Sequence, residues 1–267
     1  MGSLPHVVED CLGIVQVFSD GSISRSENFK VPIKVQDDGS AVWKDCLFDK
    51  KHNLHLRLYK PRSPPSPAAD LPVLFFFHGG GFCVGSRTWP NCHSCCLRLA
   101  SALQVLVVAP DYRLAPEHRL PAAMDDAMSS VKWLQSQALL SDGGADDWLR
   151  EGVDFGRVFV VGDSSGGNMA HHLAVELRRG SPGLEPVRVR VGGSEVMKDR
   201  IEEYSKRLKE MGKEIEYVEY QGEQHGFFTN QPFSQVANKK RSREQQLEVL
   251  ALSYKHRPSL QFMLPPS

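Results

Sequence analysis

Short apolar runs of strand length alternate along this chain with stretches whose apolar positions recur every three or four residues. Val73-Leu74-Phe75-Phe76-Phe77, Val105-Leu106-Val107-Val108-Ala109 and Val158-Phe159-Val160-Val161 are β-branched or aromatic runs of the kind found in strands buried on both faces. Helical spacing is expected over 89–102, 121–137, 166–179 and 198–211. Val187-Arg188-Val189-Arg190-Val191 and residues 214–220 read as further strands. Leu54-His55-Leu56-Arg57-Leu58-Tyr59 alternates with period two and predicts a half-buried strand. Nearer the start, Val7 to Leu12 reads as a short helix-like stretch and Gly13 to Phe18 as a strand, with a turn at Ser19-Asp20-Gly21-Ser22. Pro61, Pro64, Pro65, Pro67 and Pro72 mark an exposed loop, and a Gly/Asp-rich loop follows Ser141. Buried strands alternating with helices predict an α/β chain with a mostly parallel sheet covered by helices on both faces.

Composition narrows the partners. The 267 residues suit one α/β domain or two small ones. Lys+Arg and Asp+Glu both total 32, so there is no global field to hold nucleic acid or an anionic membrane. No apolar run approaches the roughly 20 residues of a membrane-spanning helix. The N-terminus lacks a signal-peptide pattern, and His6 stands where a myristoylation signal wants Ser or Thr. A cytoplasmic protein is the expectation. The basic run Lys239-Lys240-Arg241-Ser242-Arg243 leaves nuclear targeting open beside a solvated helix start. Six cysteines do not read as a disulfide framework in a chain this long. Cys92-His93-Ser94-Cys95 has redox or metal spacing but no partner pair, and buried thiols on a helix account for it. No metal site is expected.

Chemistry is concentrated in two runs that each follow a buried-type strand: His78-Gly79-Gly80-Gly81-Phe82 and Gly162-Asp163-Ser164-Ser165-Gly166-Gly167-Asn168. The second holds G-x-S-x-G, the spacing of a sharp strand-to-helix elbow that exposes the hydroxyl of Ser164. The first places glycines where backbone must come close to a developing oxyanion. Gly79, Gly80 and Gly81 form the oxyanion loop, and N–H groups of Gly80, Gly81 and Ser165 are the expected donors. A serine hydroxyl needs a base and a group that orients the base. In this architecture the order is Ser, then acid, then His, and Ser164, Glu195 and His225 satisfy it. Each follows a predicted strand, which puts all three at the carboxyl edge of the sheet. Among ten histidines, His225 is the best base. His78 suits orienting the glycine loop, and His171 and His172 suit packing or solvent. Asp199 competes with Glu195 as the acid, although a carboxylate in a first helical turn is favoured by the dipole alone.

With Asp111-Tyr112-Arg113-Leu114-Ala115-Pro116-Glu117, these runs resemble the hormone-sensitive-lipase group of α/β-hydrolases. Val191-Gly192-Gly193-Ser194-Glu195 with Asp199-Arg200, Glu223-Gln224-His225-Gly226-Phe227-Phe228, and the opening with Phe18-Ser19-Asp20-Gly21 and Asn53 to Tyr59 resemble its plant carboxylesterase branch. The resemblance covers residues 1–238. It implies an α/β-hydrolase fold with residues 1–30 as a cap-like segment, no cofactor, and hydrolysis of small-molecule esters or lactones through an acyl-enzyme. It gives Ser164 as nucleophile, Glu195 as triad acid and His225 as base.

The chain departs from that pattern in two places. Only the elbow helix and one strand fit between Ser164 and Glu195, where the family has a further strand, helix and cap insertion. The start of one family strand joins the end of the next near 190–191, which shortens the fold by about one βα unit plus cap. Residues 239–267 form an atypical tail. The fused strand is expected to pair beside the nucleophile strand and present Glu195 from its end, with an open, wet pocket and impaired geometry. Alternatives are a hydrolase-fold ligand-binding protein of hormone-receptor type, a dehydratase whose oxyanion hole does the main work, and a truncated product without activity. Retention of His225 argues against the receptor.

Overall fold

A computed structural model describes residues 4–26, 31–63, 70–140, 144–178, 187–192, 197–213, 215–235 and 252–253. In chain order the elements are β1 (Val7–Cys11), β2 (Val15–Phe18), β3 (Ile23–Arg25), β4 (Ala41–Asp49), β5 (Leu54–Pro61), β6 (Leu71–Phe77), α1 (Pro90–Leu103), β7 (Leu106–Pro110), α2 (Ala122–Leu139), α3 (Asp147–Arg150), β8 (Val153–Gly162), α4 (Ser165–Arg178), β9 (Val187–Gly192), α5 (Lys198–Glu210), β10 (Ile215–Tyr220), α6 (Phe227–Asn230) and β11 (Leu252–Ser253). Six strands form the main sheet in the order β11-β8-β6-β7-β5-β4. Its centre is parallel, with β6 between β7 and β8, and antiparallel strands flank it.

The apolar run of β6 has a two-sided explanation. Val73, Phe75 and Phe77 pack with Met124, Val131 and Leu134 of α2 and Met169 and Leu173 of α4. Leu74 and Phe76 point the other way, into a cluster with Cys92, Cys96, Leu97 and Leu103 of α1. Period-two alternation with helices on both faces requires apolar side chains at every position. Cys92, Cys95 and Cys96 are therefore buried thiols. Burial pushes Cys92 up to about 12 and lifts Cys95 and Cys96 well above their ordinary values, so they are held as unreactive thiols.

Strand β5 is more deeply buried than its alternation suggests, because β4 and β7 pair with it on either edge. Arg57 is consequently buried. Its guanidinium grips Asp45 through Nε and Nη2, both at 2.8 Å, and lies 3.9 Å from the Trp43 ring centroid. The arrangement satisfies a charge that would otherwise be costly to bury. His93 on α1 completes the network. Its Nδ1 accepts from the Tyr59 hydroxyl at 2.9 Å and from Arg57 at 3.3 Å. Burial and the adjacent Arg57 charge push His93 down to about 4.

Two expectations are corrected. Val7 to Leu12 is not helical: β1, β2 and β3 form a small antiparallel sheet. Leu12 adopts φ 56° in the β1–β2 turn, where Asp10 accepts from the Gly13 N–H at 2.6 Å. A short apolar run with β-branched Val7 and Val8 carries no period long enough to separate helix from strand. Second, β9 does not pair with β8. It joins β10 in a separate parallel pair, and the two residues of β11 take the edge of β8. Helix α5 packs with this pair and reaches α4 through Tyr204, whose hydroxyl lies 2.8 Å from His171 Nδ1. Burial also lowers the pKa of His171.

These histidines give the stability a pH sign. His93 and His171 resist protonation in the folded chain but accept a proton near pH 6.5 when unfolded. Their contribution is complete above that pH and is lost as pH falls toward about 4, the folded value of His93. Thermal melts between pH 7.5 and 4.5 are expected to show a falling Tm below about pH 6.5. A flat Tm across that window contradicts the assignment.

Candidate active site

Ser164 stands between the end of β8 and the start of α4 at φ 54°, a region that non-glycine residues seldom occupy. The surrounding glycines make this turn possible. A Cβ on Gly162 would lie 2.1 Å from the Gly166 backbone, and one on Gly166 would lie 2.0 Å from the Phe77 carbonyl oxygen. Glycines alone allow strand end, helix start and neighbouring strand to approach this closely. The Asp163 N–H donates to the same Phe77 oxygen at 3.1 Å, and the Gly166 N–H to Asp163 O at 2.8 Å.

The glycine loop after β6 lies against the elbow. A Cβ on Gly79 would sit 2.9 Å from Asp163 O and 3.2 Å from Ser164 Cβ. Among the described residues, the backbone N–H groups of Gly80, Gly81 and Ser165 donate to no protein acceptor, while the carbonyl of each preceding residue is bonded. Gly79 O accepts from His78 Nδ1 at 2.8 Å. Gly80 O accepts from the N–H groups of Cys83 and Val84, both at 3.0 Å. Ser164 O accepts from Gly167 at 2.9 Å and Asn168 at 3.3 Å. Because a trans peptide is planar, its N–H points opposite its C=O. Fixing the three carbonyls therefore aims the three N–H groups, which lie on the loop and elbow beside Ser164.

His78 works as a brace. It is buried, its ring stacks on Tyr112 at a centroid distance of 4.2 Å, and burial lowers its pKa. Gly79 O can only accept, so Nδ1 carries the proton. Tyr112 donates its hydroxyl to His78 O at 2.8 Å, and burial raises the phenol pKa, which keeps that donor in place. Asp111 accepts from the Arg87 N–H at 2.7 Å and from Ser86 at 3.2 Å, and pairs with the Arg87 guanidinium. The segment after β7 thus supports the loop after β6. The sequence showed this segment as part of a family pattern; its supporting role depends on contacts more than twenty residues apart.

His225 lies in the turn after β10 and is half-buried. The turn reaches the elbow: a Cβ on Gly226 would come 3.3 and 3.7 Å from the two carboxylate oxygens of Asp163. Gly226 takes φ 69°, and Asn230 of α6 accepts from Asn91 of α1 at 3.0 Å. Ser164, Gly79, Gly80, Gly81 and Ser165 therefore meet at one edge of the main sheet, and the His225 turn reaches the elbow there from the end of the separate β9–β10 pair. Glu195 lies outside the described residues. The register of β9 against β10 pairs Gly192 with Tyr220, so the described parts of the two strands end side by side. Asp199 is exposed in the first turn of α5.

One group of possible metal ligands occurs among the described residues: Asp49, His52 and Asp126. Its acceptors are already engaged, Asp49 by His52 Nδ1 at 2.7 Å and Asp126 by Arg113 at 2.7–3.0 Å. No helix of the described residues is long and apolar enough to cross a membrane.

The chain matches a family model described as the alpha/beta hydrolase fold over residues 74–183 and 181–229, and one described as the carboxylesterase family over residues 19–117. It is 41% identical over 174 residues to probable carboxylesterase 8 of Arabidopsis thaliana, covering 64% of this chain and 50% of that protein. It is 36% identical over 167 residues to 3-O-acetylpapaveroxine carboxylesterase CXE1 of Papaver somniferum, covering 61% and 51%. The chain spans about half the length of the curated relatives it matches. An esterase structure from Pyrobaculum calidifontis superposes with a TM-score of 0.61 at 26% identity, covering 77% of this chain and 83% of that one.

The close approach at Gly166 leads to a substitution test. Gly166→Ala places a methyl group on the Phe77 carbonyl and is expected to prevent the elbow from forming, with loss of at least about 3 kcal/mol in chemical denaturation. Gly212→Ala is the contrasting case. It is left-handed at φ 73°, which Gly166 is not, but a Cβ there meets nothing within 4 Å, so the substitution carries only backbone strain and is expected to cost only about 1 kcal/mol. Equal effects of the two variants contradict the packing account.

Proposed function

The chain belongs to the α/β-hydrolase fold family, and on that basis we propose that it hydrolyses small carboxylic esters through an acyl-enzyme on Ser164. The observation that carries this reading is the trio of unengaged, pre-aimed N–H groups beside a serine held at φ 54°. Such donors stabilise charge as it develops on a substrate carbonyl oxygen. In this reading Ser164 Oγ attacks the ester carbon and His225 takes its proton. The N–H groups of Gly80, Gly81 and Ser165 hold the oxyanion, while Gly79 allows the loop to sit close. His225 then protonates the departing alkoxide, and water activated by the same histidine releases the acid. Glu195 orients His225. The shared exit edge of β9 and β10 supports that pairing.

The similarity to a carboxylesterase named for 3-O-acetylpapaveroxine favours an acetyl ester of a small plant metabolite as the substrate class. Separation of β9 from the main sheet favours a slower reaction than a triad carried on one continuous sheet would give, because small misplacements of reacting groups are costly.

The test is p-nitrophenyl acetate turnover by the chain and by Ser164→Ala. The substitution is expected to lower kcat/KM by at least about a thousandfold, with an unchanged far-UV circular dichroism spectrum. Equal rates for the two proteins overturn the proposal.

A further inference from the structure

Arg25, at the end of the small N-terminal sheet, reaches across to the loop that carries the oxyanion donors. Its backbone is anchored because β3 pairs with β2 at Val15, which is buried, and the Ser26 N–H donates to Ile14 O at 2.8 Å. Its guanidinium makes four hydrogen bonds. Nε and Nη2 clasp the Glu117 carboxylate at 2.7 and 2.6 Å. Nη2 also donates to Ala115 O at 2.7 Å, and Nη1 to Cys83 O at 2.8 Å. The loop is gripped at related points, since the Ala115 N–H donates to Phe82 O at 2.8 Å and the Cys83 N–H to Gly80 O at 3.0 Å.

These bonds form a chain from the N-terminal sheet to one donor. Arg25 fixes the Cys83 carbonyl and, through that peptide plane, the Val84 N–H; the Val84 N–H, with the Cys83 N–H, holds the Gly80 carbonyl, and the planarity of that peptide fixes the Gly81 N–H. We propose that Arg25 is a positioning residue for the oxyanion loop: it sets the 80–83 turn from outside the sheet and so aims the Gly81 N–H. The cap-like N-terminal segment then acts on the transition state, rather than solely as a wall of the substrate pocket. This inference rests on the ester-hydrolase reading for its kinetic readout, and on backbone geometry alone for its second readout. Glu117 serves as the counter-clamp that holds the guanidinium planar against the two carbonyls. Its carboxyl is held below the ordinary glutamate value by the Arg25 hydrogen bonds.

The experiment measures p-nitrophenyl acetate kinetics and amide hydrogen exchange over residues 79–86 for the full chain, Arg25→Ala and Arg25→Lys. An oxyanion donor acts only as charge develops, so misaiming it lowers kcat and leaves KM nearly unchanged. Arg25→Ala is expected to lower kcat about ten- to a hundredfold with KM within about twofold. Exchange at Cys83 and Val84 is expected to accelerate. Arg25→Lys recovers only part of either effect, because one ammonium cannot bridge Cys83, Ala115 and Glu117 together. A raised KM with kcat preserved assigns the segment to the pocket wall and overturns the inference, as does unchanged exchange in both variants. Should the parent chain turn over ester no faster than Ser164→Ala, the ester-hydrolase reading fails. Exchange at Cys83 and Val84 then decides the Arg25 inference alone: acceleration supports it and no change overturns it. Should Arg25→Ala not fold, Arg25→Lys is judged by the same criteria.

Discussion

The close approach of Gly166 to the Phe77 carbonyl oxygen governs the arrangement of the whole site. It brings the first turn of α4 against the end of β6, and so fixes the elbow and the glycine loop relative to each other. Without it Ser164 would have no reason to adopt φ 54°, and the glycine loop could not lie so close that a Cβ on Gly79 would come 3.2 Å from the Ser164 Cβ. The strain at Ser164 is small against the burial that opposes its relaxation. Phe75, Phe77, Met169 and Leu173 meet in one apolar cluster immediately beneath the turn.

From that contact outward, the site is built of carbonyls held from behind. Buried neutral His78, protonated Tyr112, Asp111 with Arg87, and Arg25 with Glu117 each hold a piece of the loop by its backbone. None of these side chains needs to touch a substrate. Their effect is to hold the backbone of the loop, and with it the N–H groups that the ester-hydrolase proposal invokes, in fixed directions; such preorientation is the condition under which hydrogen-bond donors contribute most to a reaction.

Much of this was legible in the sequence, for identifiable reasons. The parallel centre and its helices followed from apolar runs and helical spacing, because strands covered on both faces leave no polar positions. The elbow and glycine loop were legible because only glycine tolerates their backbone approaches. What escaped was either short or long-range. Val7 to Leu12 is too short for its period to separate helix from strand. Strand β4 alternates half-buried and exposed positions through Trp43, Lys44 and Asp45, which gave no clear signal on their own. Arg25, Asp111 and Tyr112 reach partners tens of residues away, and no local pattern records such contacts. The run at 187–192 does form a strand, but its partner is β10 and not β8. Local sequence specifies that a strand forms, while its neighbour is chosen by the packing of the rest.

The central claim is that folding turns the Ser164 hydroxyl into an activated nucleophile. A fluorophosphonate that esterifies activated serines tests this directly, with the adduct located by peptide mass spectrometry. The account predicts one adduct per chain, on Ser164, formed by the native protein and abolished when the chain is denatured before labelling. No adduct on Ser164 in the native protein, or equal labelling in the native and denatured chains, would contradict it.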